Sequence, residues 1–584
     1  LLPWVLTCYG KESTLLFNGR EIASQQGAQQ GDPLSPILFC LALFRLQQLL
    51  AEKAPDLRQL WYMDDSALIG DLKLLDRVMG LIIDHGPEFG LHPEWTKFEL
   101  LYSGKKAPSL SRHKYLKQME QKPIPLGKAV VLGAPVFGSV EEVESWLQTK
   151  RETKIDPLLK ELLGLDDPQI ALLLYRKCLA SVCVAHAART VPSAVLTEAA
   201  RKWDKDVVAD FERIVGVEAE HDYQRRLIVL PANRGGFAVP ALGPMCTAAY
   251  VKSSLIADDM CELLAGERLA DPHRAAALET FSANVAEADR LTPDKLGHNP
   301  SLATKMACAL LDEQVDKIKQ QPDPALRSIL IELTEGSRGM AWLDALPSAH
   351  DGTVLTRAEI ECEVRLRLRL PVSRTGLCPA GACNAKLDAL GDHCLNCHLA
   401  GDRIHAHDDV KHFLDKAMRR AGMPNVQSEP RDLTDQPGRR PDIATSSFLG
   451  HPVAIDVTHK SPLQQHIIKL NARKGFAHTV GEAVKHKEAQ YRGVNFVLGH
   501  ELRVFAFSLF GALDPNSEVL LNQILQGIHE QSGLPFFWLQ RNYWARFSVL
   551  LLKARYRAVI RRQGADLLFK PTKLTGGARK IAVA

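Results

Sequence analysis

Four metal-ligating residues in the order Cys378-x4-Cys383-x9-His393-x3-Cys397 tie a stretch of twenty residues to one point. Two close pairs across a short loop suit a tetrahedral Zn²⁺, and three thiolates with one imidazole form a closed, structural ligand set. Cys394 and His398 are adjacent competitors, so the spacing leaves the ligands open by one position. Twelve cysteines in 584 residues, several of them clustered with histidines, point to metal binding in a reducing compartment rather than a disulfide framework.

A second constraint lies at residues 59–70, where the apolar runs 60–63 and 67–69 flank adjacent carboxylates, Asp64 and Asp65. The pattern predicts a tight β-hairpin with the acids at its tip. Two like charges so close repel unless a cation such as Mg²⁺ neutralises them. Upstream, residues 24–42 combine Gly27 and Gly31 with Pro33 and Pro36 ahead of an apolar helix predicted over 37–50. Glycine-rich backbone at a helix N-terminus can receive a phosphate. Residues 71–90 predict an amphipathic helix with Leu72, Leu75, Val78, Met79 and Ile82 on one face. Trp4, Cys8 and Tyr9 are expected in the core, and the basic stretch 103–128 reads as a solvated loop or a backbone-tracking surface.

Together these segments resemble the reverse transcriptase palm of non-LTR (LINE-like) retrotransposons. The resemblance gives Gln30, Gly31, Asp32, Pro33, Ser35 and Pro36 to the nucleotide-side loop and Asp64 and Asp65 to metal binding. Residues 90–99 match the family's next motif with Lys97 in the lysine position, although Pro93 and Glu94 stand where asparagine is usual. Residues 131–136, around Gly133, resemble the primer grip. The family uses three aspartates, and the first is expected upstream of Leu1, so the chain is expected to hold half a polymerase site.

From about 140 to 351 the periodicity is helical, with amphipathic segments at 170–188 and 193–215. A Gly235-Gly236 turn resembles the segment that follows the polymerase in such elements, without its last glycine. Residues 361–370 alternate, so a strand would line up Arg365, Arg367 and Arg369 for phosphates or solvent, while a helix end fits as well.

The Cys/His set resembles the CCHC knuckle that precedes the restriction-like endonuclease of site-specific elements, continued by Arg403 and His407, with Ala406 where the family has arginine. Beyond it stand Glu429, Asp442 and Asp456, the last in a short buried strand over 453–457. Lys487 and Tyr491 follow on one helix face. This set resembles a PD-(D/E)xK nuclease. The resemblance makes Asp442 and Asp456 ligands of Mg²⁺ or Mn²⁺, Glu429 a helper, and Lys487 and Tyr491 neighbours of the water or scissile phosphate. Thr458 occupies the usual lysine position, so activity would rest on Lys487. An aromatic helix over 535–553 is assigned to the core and a basic tail carries Arg561, Arg562, Lys570, Lys573, Arg579 and Lys580.

The expected fold is a multidomain α/β (α+β) chain: truncated palm at 1–139, all-helical thumb and connector at 140–351, zinc knuckle region at 352–400, α/β restriction-like nuclease at 401–560 and basic tail at 561–584. The resemblance implies an RNA template, target DNA and deoxynucleotides as partners, and action in the nucleus after cytoplasmic synthesis. A decayed nucleic-acid-binding copy, or an endonuclease alone, is the alternative. Net charge of +4 excludes nothing about nucleic acid. No uninterrupted apolar run approaches the roughly 20 residues of a membrane span, and no signal peptide is seen.

Overall fold

The computed structural model describes residues 2–24, 27–29, 31–136, 138–290, 301–335, 338–399, 401–436, 438–474 and 478–562. They form a mixed helical and sheet protein whose chain divides into two compact units, Leu1–Glu142 and Val143–Ala584.

In the first unit, the helix Ser35–Lys53 starts with proline in its first turn and buries Leu43, Leu46 and Leu50. Leu46 and Leu50 pack with Val78, Met79 and Ile82 of the helix Leu72–His85, which Asp71 caps. The strands Arg58–Tyr62 and Asp65–Ile69 pair antiparallel, leaving Met63 and Asp64 as the two-residue turn. Trp61 and Leu68 lie on this core, while Leu60, Tyr62 and Ile69 face out, as do Ile37, Leu41 and Phe44 of the long helix. Asp76 orders much of the basic stretch by accepting backbone hydrogen bonds from Lys114, Tyr115 and Leu116 at 2.8–3.0 Å. The expectation of a buried N-terminal helix is corrected in part. Trp4 is 61% exposed and Cys8 is exposed, because Leu2–Tyr9 buries none of its described residues; Tyr9 is half-buried and donates to Asp32.

The second unit begins with packed helices. Ser193–Val215 has the predicted bounds, whereas the segment expected at 170–188 is a helix only over Pro168–Cys178, interrupted where Ala180 takes a positive φ of 35°. Two stretches, Ser35–Lys53 and Pro168–Thr190, are long and apolar enough to cross a membrane by length and composition. The core helix of a folded protein passes the same test, and neither stretch is an uninterrupted apolar run. Half of the second stretch is buried among the helices. The Gly-Gly turn is structural: a Cβ on Gly236 would meet the Leu230 carbonyl oxygen at 2.1 Å, and Gly235 has φ 80°.

The arginine stretch is a helix, Arg357–Leu368, started by a Thr356–Glu359 capping box. Its arginines are engaged within the protein rather than aligned for phosphates. Arg365 pairs with Glu361, and Arg367 is buried against Glu363. Arg369 bridges Asp323 and Asp392. Glu363 also binds Arg555 of the helix Phe536–Ile560 through both oxygens, 2.5 and 2.8 Å away, and all three side chains are at most 2% exposed.

The four-stranded sheet runs in the order Gln427–Ser428, Ile443–Phe448, His451–Lys460, Glu501–Ser508. The second and third strands are antiparallel, joined by a two-residue turn with positive φ at Leu449 and Gly450, and the third and fourth are parallel. One face packs Ile443, Ile455, Val457, Phe505 and Phe507 against the helices Asp402–Arg420, Pro515–Ser532 and Phe536–Ile560. The aromatic helix contributes Tyr543, Trp544 and Phe547 to that core, but Phe537 and Trp538 are 74% and 46% exposed, a correction to their expected burial. The tail boundary also moves: Arg562 is 2% exposed and bonded to Asp402, because a buried guanidinium needs an acid partner. Residues 563–584, with the remaining tail cations, lie outside the described residues.

Candidate metal centres

Strand register brings Asp442 and Asp456 together. Ile443 pairs with Ile455 across the antiparallel strands, so Asp442 falls opposite Asp456. Alternation then sends Ile455 and Val457 into the core and Asp456 to the other face. There the helix Thr479–Gln490 packs, and its Lys487 Nζ lies 2.7 Å from Asp456 Oδ1. Tyr491, which caps that helix, gives its hydroxyl to Asp456 and stacks on Phe496. Thr458 brings no amine to this strand, and the one beside Asp456 comes from a neighbouring helix. Asp442 Oδ2 accepts the Val457 N–H at 2.7 Å and meets His407 Nε2 at 3.1 Å. His407, Asp442 and Asp456 place their ligand atoms within 4.8 Å of one another.

The electrostatics follow from burial. Asp456 is 2% exposed, and desolvation pushes its carboxyl up to about 6 although Lys487 and Tyr491 favour its charge. Burial opposes ionisation of Asp442 too, but His407 and the Val457 N–H outweigh it and hold its pKa below the ordinary range. His407 is raised because Asp442 and Asp408 overcome the cost of its own burial. Two apposed acids with His407 beside them could hold a metal ion. Magnesium prefers oxygen ligands, so the carboxylates suit it and His407 suits orientation of Asp442.

Glu429 is brought near, its N–H bonded to the Asp442 carbonyl, but its carboxylate is drawn to Lys411 at 2.5 Å. Asp408 and Lys411 were not expected at the site, and His407 was not expected among the ligands. Their i, i+1, i+4 spacing on one helix was the available signal.

The second centre is the knuckle. The strands Gly376–Leu377 and Lys386–Leu387 form a short hairpin around Cys378 and Cys383, and the helix Asp392–Asn396 carries His393 to Cys397. Cys378, Cys383, His393 and Cys397 cluster within 4.8 Å and could hold a metal such as zinc. Cys378 Sγ and Cys397 Sγ are 3.9 Å apart, and Cys383 Sγ lies 3.5 Å from His393 Nε2. Zn–S bonds of about 2.3 Å in a tetrahedron require sulfurs about 3.8 Å apart, so the donors fit. The competing ligands are settled by direction: Cys394 is buried towards Ser373, and His398 is exposed outside the group.

In the first unit Asp64 and Asp65 are both exposed at the hairpin tip, where Met63 takes φ 56°. Among the described residues no group of three possible ligands forms around them. Gly31 has φ 95°, Asp32 accepts from Leu34 N at 2.8 Å, and Pro33, Ser35 and Pro36 lead into the helix. Gln30 lies outside the described residues. Lys97 is exposed at the end of a short 3₁₀ turn. Gly133, with φ 82° after Leu132 at 49°, turns the small hairpin of Val130–Val131 and Ala134–Pro135.

Compared with models of known protein families the chain matches none, and comparison with curated proteins finds no match either.

Proposed function

We propose that the second unit is a divalent-cation-dependent endonuclease that cuts a phosphodiester in DNA. The more particular reading is that the chain is the C-terminal part of a non-LTR retrotransposon polyprotein, whose nuclease nicks target DNA. The observation that carries the nuclease reading is the register-matched pair Asp442 and Asp456 with Lys487 Nζ at 2.7 Å.

Asp442 and Asp456 would hold Mg²⁺ or Mn²⁺, which when bound neutralises a phosphate and acidifies water. The chain's own groups do the positioning. His407 and the Val457 N–H fix Asp442 in one rotamer. Lys487 offers an amine beside Asp456 that can receive a phosphate oxygen or a nucleophilic water, and Tyr491 restrains the same carboxylate from the other end of the helical turn. Glu429 is free to join once Lys411 releases it.

In the same reading the first unit supplies part of an RNA-directed DNA polymerase that extends the nicked 3′ end on an RNA template with deoxynucleotides. The Asp64–Asp65 hairpin and the loop before Ser35 support it. The action would be nuclear. The alternative without polymerase activity, a nucleic-acid-binding protein or an endonuclease alone, draws on the absence of a third ligand beside Asp64 and Asp65 among the described residues.

The nuclease reading is tested by plasmid nicking in Mg²⁺, with Asp456→Asn expected to lose nicking at least 10³-fold while remaining folded. Nicking equal to the wild type would refute it. Primer extension on an RNA template, with Asp64→Asn as the control, tests the polymerase reading.

A further inference from the structure

The C-terminal helix ends in a buried charge that the nuclease chemistry does not use. Arg562 has a side chain with 0% exposure, and it packs where that helix meets the knuckle. Its Nη1 donates to Asp402 Oδ2 at 2.5 Å and to the Ala558 carbonyl at 2.8 Å. The guanidinium interacts with the Cys397 sulfur, and its buried Nε and Nη2 have no well-formed hydrogen bond among the described residues. Arginine stays protonated in proteins, so two buried donors and a full positive charge are left beside the knuckle.

A loaded knuckle would set a further negative charge beside it. Arg561 and Arg562 both reach Asp402, whose side chain is 6% exposed, leaving one positive charge in excess. Three thiolates and one Zn²⁺ carry one negative charge. Asp402 is also the first residue of the helix Asp402–Arg420, which carries His407 and Lys411. Knuckle and nuclease helix therefore share one guanidinium.

Resting on the reading of Cys378, Cys383, His393 and Cys397 as a zinc centre, we propose that Arg562 is a positioning residue that couples the two. It donates to the Cys397 thiolate on one side and anchors Asp402 on the other. Partners of this kind beyond the ligands tune metal affinity and hold a ligand's orientation.

The test uses the full chain, with zinc as the probe. Zinc affinity is measured by competition with a chromophoric chelator, and amide hydrogen exchange is followed over residues 402–406 with and without zinc. Arg562→Met is expected to weaken zinc binding about 10–100-fold. In the wild type, stripping zinc should speed exchange at 402–406, and in Arg562→Met that response should vanish. Arg562→Lys keeps the charge but cannot span both partners. It guards against a misfolded Met variant and should hold zinc within about tenfold of wild type while losing the exchange response. Co²⁺-loaded Arg562→Met should also show a shifted thiolate-to-metal absorption band. The proposal falls if Arg562→Met and Arg562→Lys both bind zinc as wild type does, or if zinc removal leaves exchange at 402–406 unchanged. Zinc uptake no greater than in Cys383→Ser would sink the metal reading and the coupling together; one zinc bound equally by wild type and both Arg562 variants would sink the coupling alone.

Discussion

Glu332 offers a direct measure of what a buried carboxylate costs this fold. It sits in the helix Pro324–Thr334 at 0% exposure, near the hydroxyls of Thr479 and Ser508 but without a well-formed hydrogen bond. Burial raises its carboxyl from the ordinary 4.5 to about 7, and the charge that acts on it, Glu335, is of like sign. A shift of that size disfavours the ionised form by about 3 kcal/mol. Because the folded state holds its proton more tightly than the unfolded chain, no penalty exists below pH 4.5. The penalty grows as pH rises and is complete just above 7. Between pH 5 and 8 the wild type should lose about 2–3 kcal/mol that Glu332→Gln does not lose. The chain has two compact units, so a single melting temperature would mix them. Urea titration at pH 5 and pH 8, with hydrogen exchange of Thr479–Gln490 as the local readout, isolates the effect. Parallel pH profiles for wild type and Glu332→Gln would refute the reasoning.

Glu363→Gln removes the one acid between Arg367 and Arg555 and should destabilise the second unit by about 3–5 kcal/mol in urea titration. Lys487→Met should lower nicking by about 10²–10⁴-fold at unchanged secondary structure, with Lys487→Arg recovering part of it. Leu46→Ala, at a fully buried site, should cost the first unit about 2–5 kcal/mol, read by its denaturation midpoint. Asp64→Asn and Asp65→Asn, both exposed, should leave stability within about 0.5 kcal/mol, so any primer extension they abolish reports chemistry.

Elements with strong local signals were legible in the sequence. Pro33 and Pro36 announced the helix Ser35–Lys53, and an acid pair between two apolar runs announced the hairpin at Asp64 and Asp65. The knuckle was readable because four ligands at short spacing have few other uses, although only side-chain direction separated Cys397 from Cys394. Alternation left residues 361–370 open between a strand and a helix end. There the Thr356–Glu359 cap and the buried Glu363 favour a helix, and period-two patterning is blind to both. His407 was hard to weigh because its partner, Asp442, is 35 residues away. Burial of Arg562 depends on Asp402 in the same way, through a contact spanning 160 residues. Trp4 shows the converse, an apolar residue whose type suggested a core that the described fold does not place over it.

The Leu449–Gly450 turn carries a consequence for how such a chain can vary. Both residues sit at positive φ, and the turn with the bulge between Thr445 and Phe448 sets which residue faces Ile455. Adding one residue there would slide the ladder and carry one acid to the opposite surface, parting Asp442 from Asp456 without touching either aspartate. Length in that loop is a ruler, and the meeting of the two carboxylates depends on it as strictly as on the acids themselves.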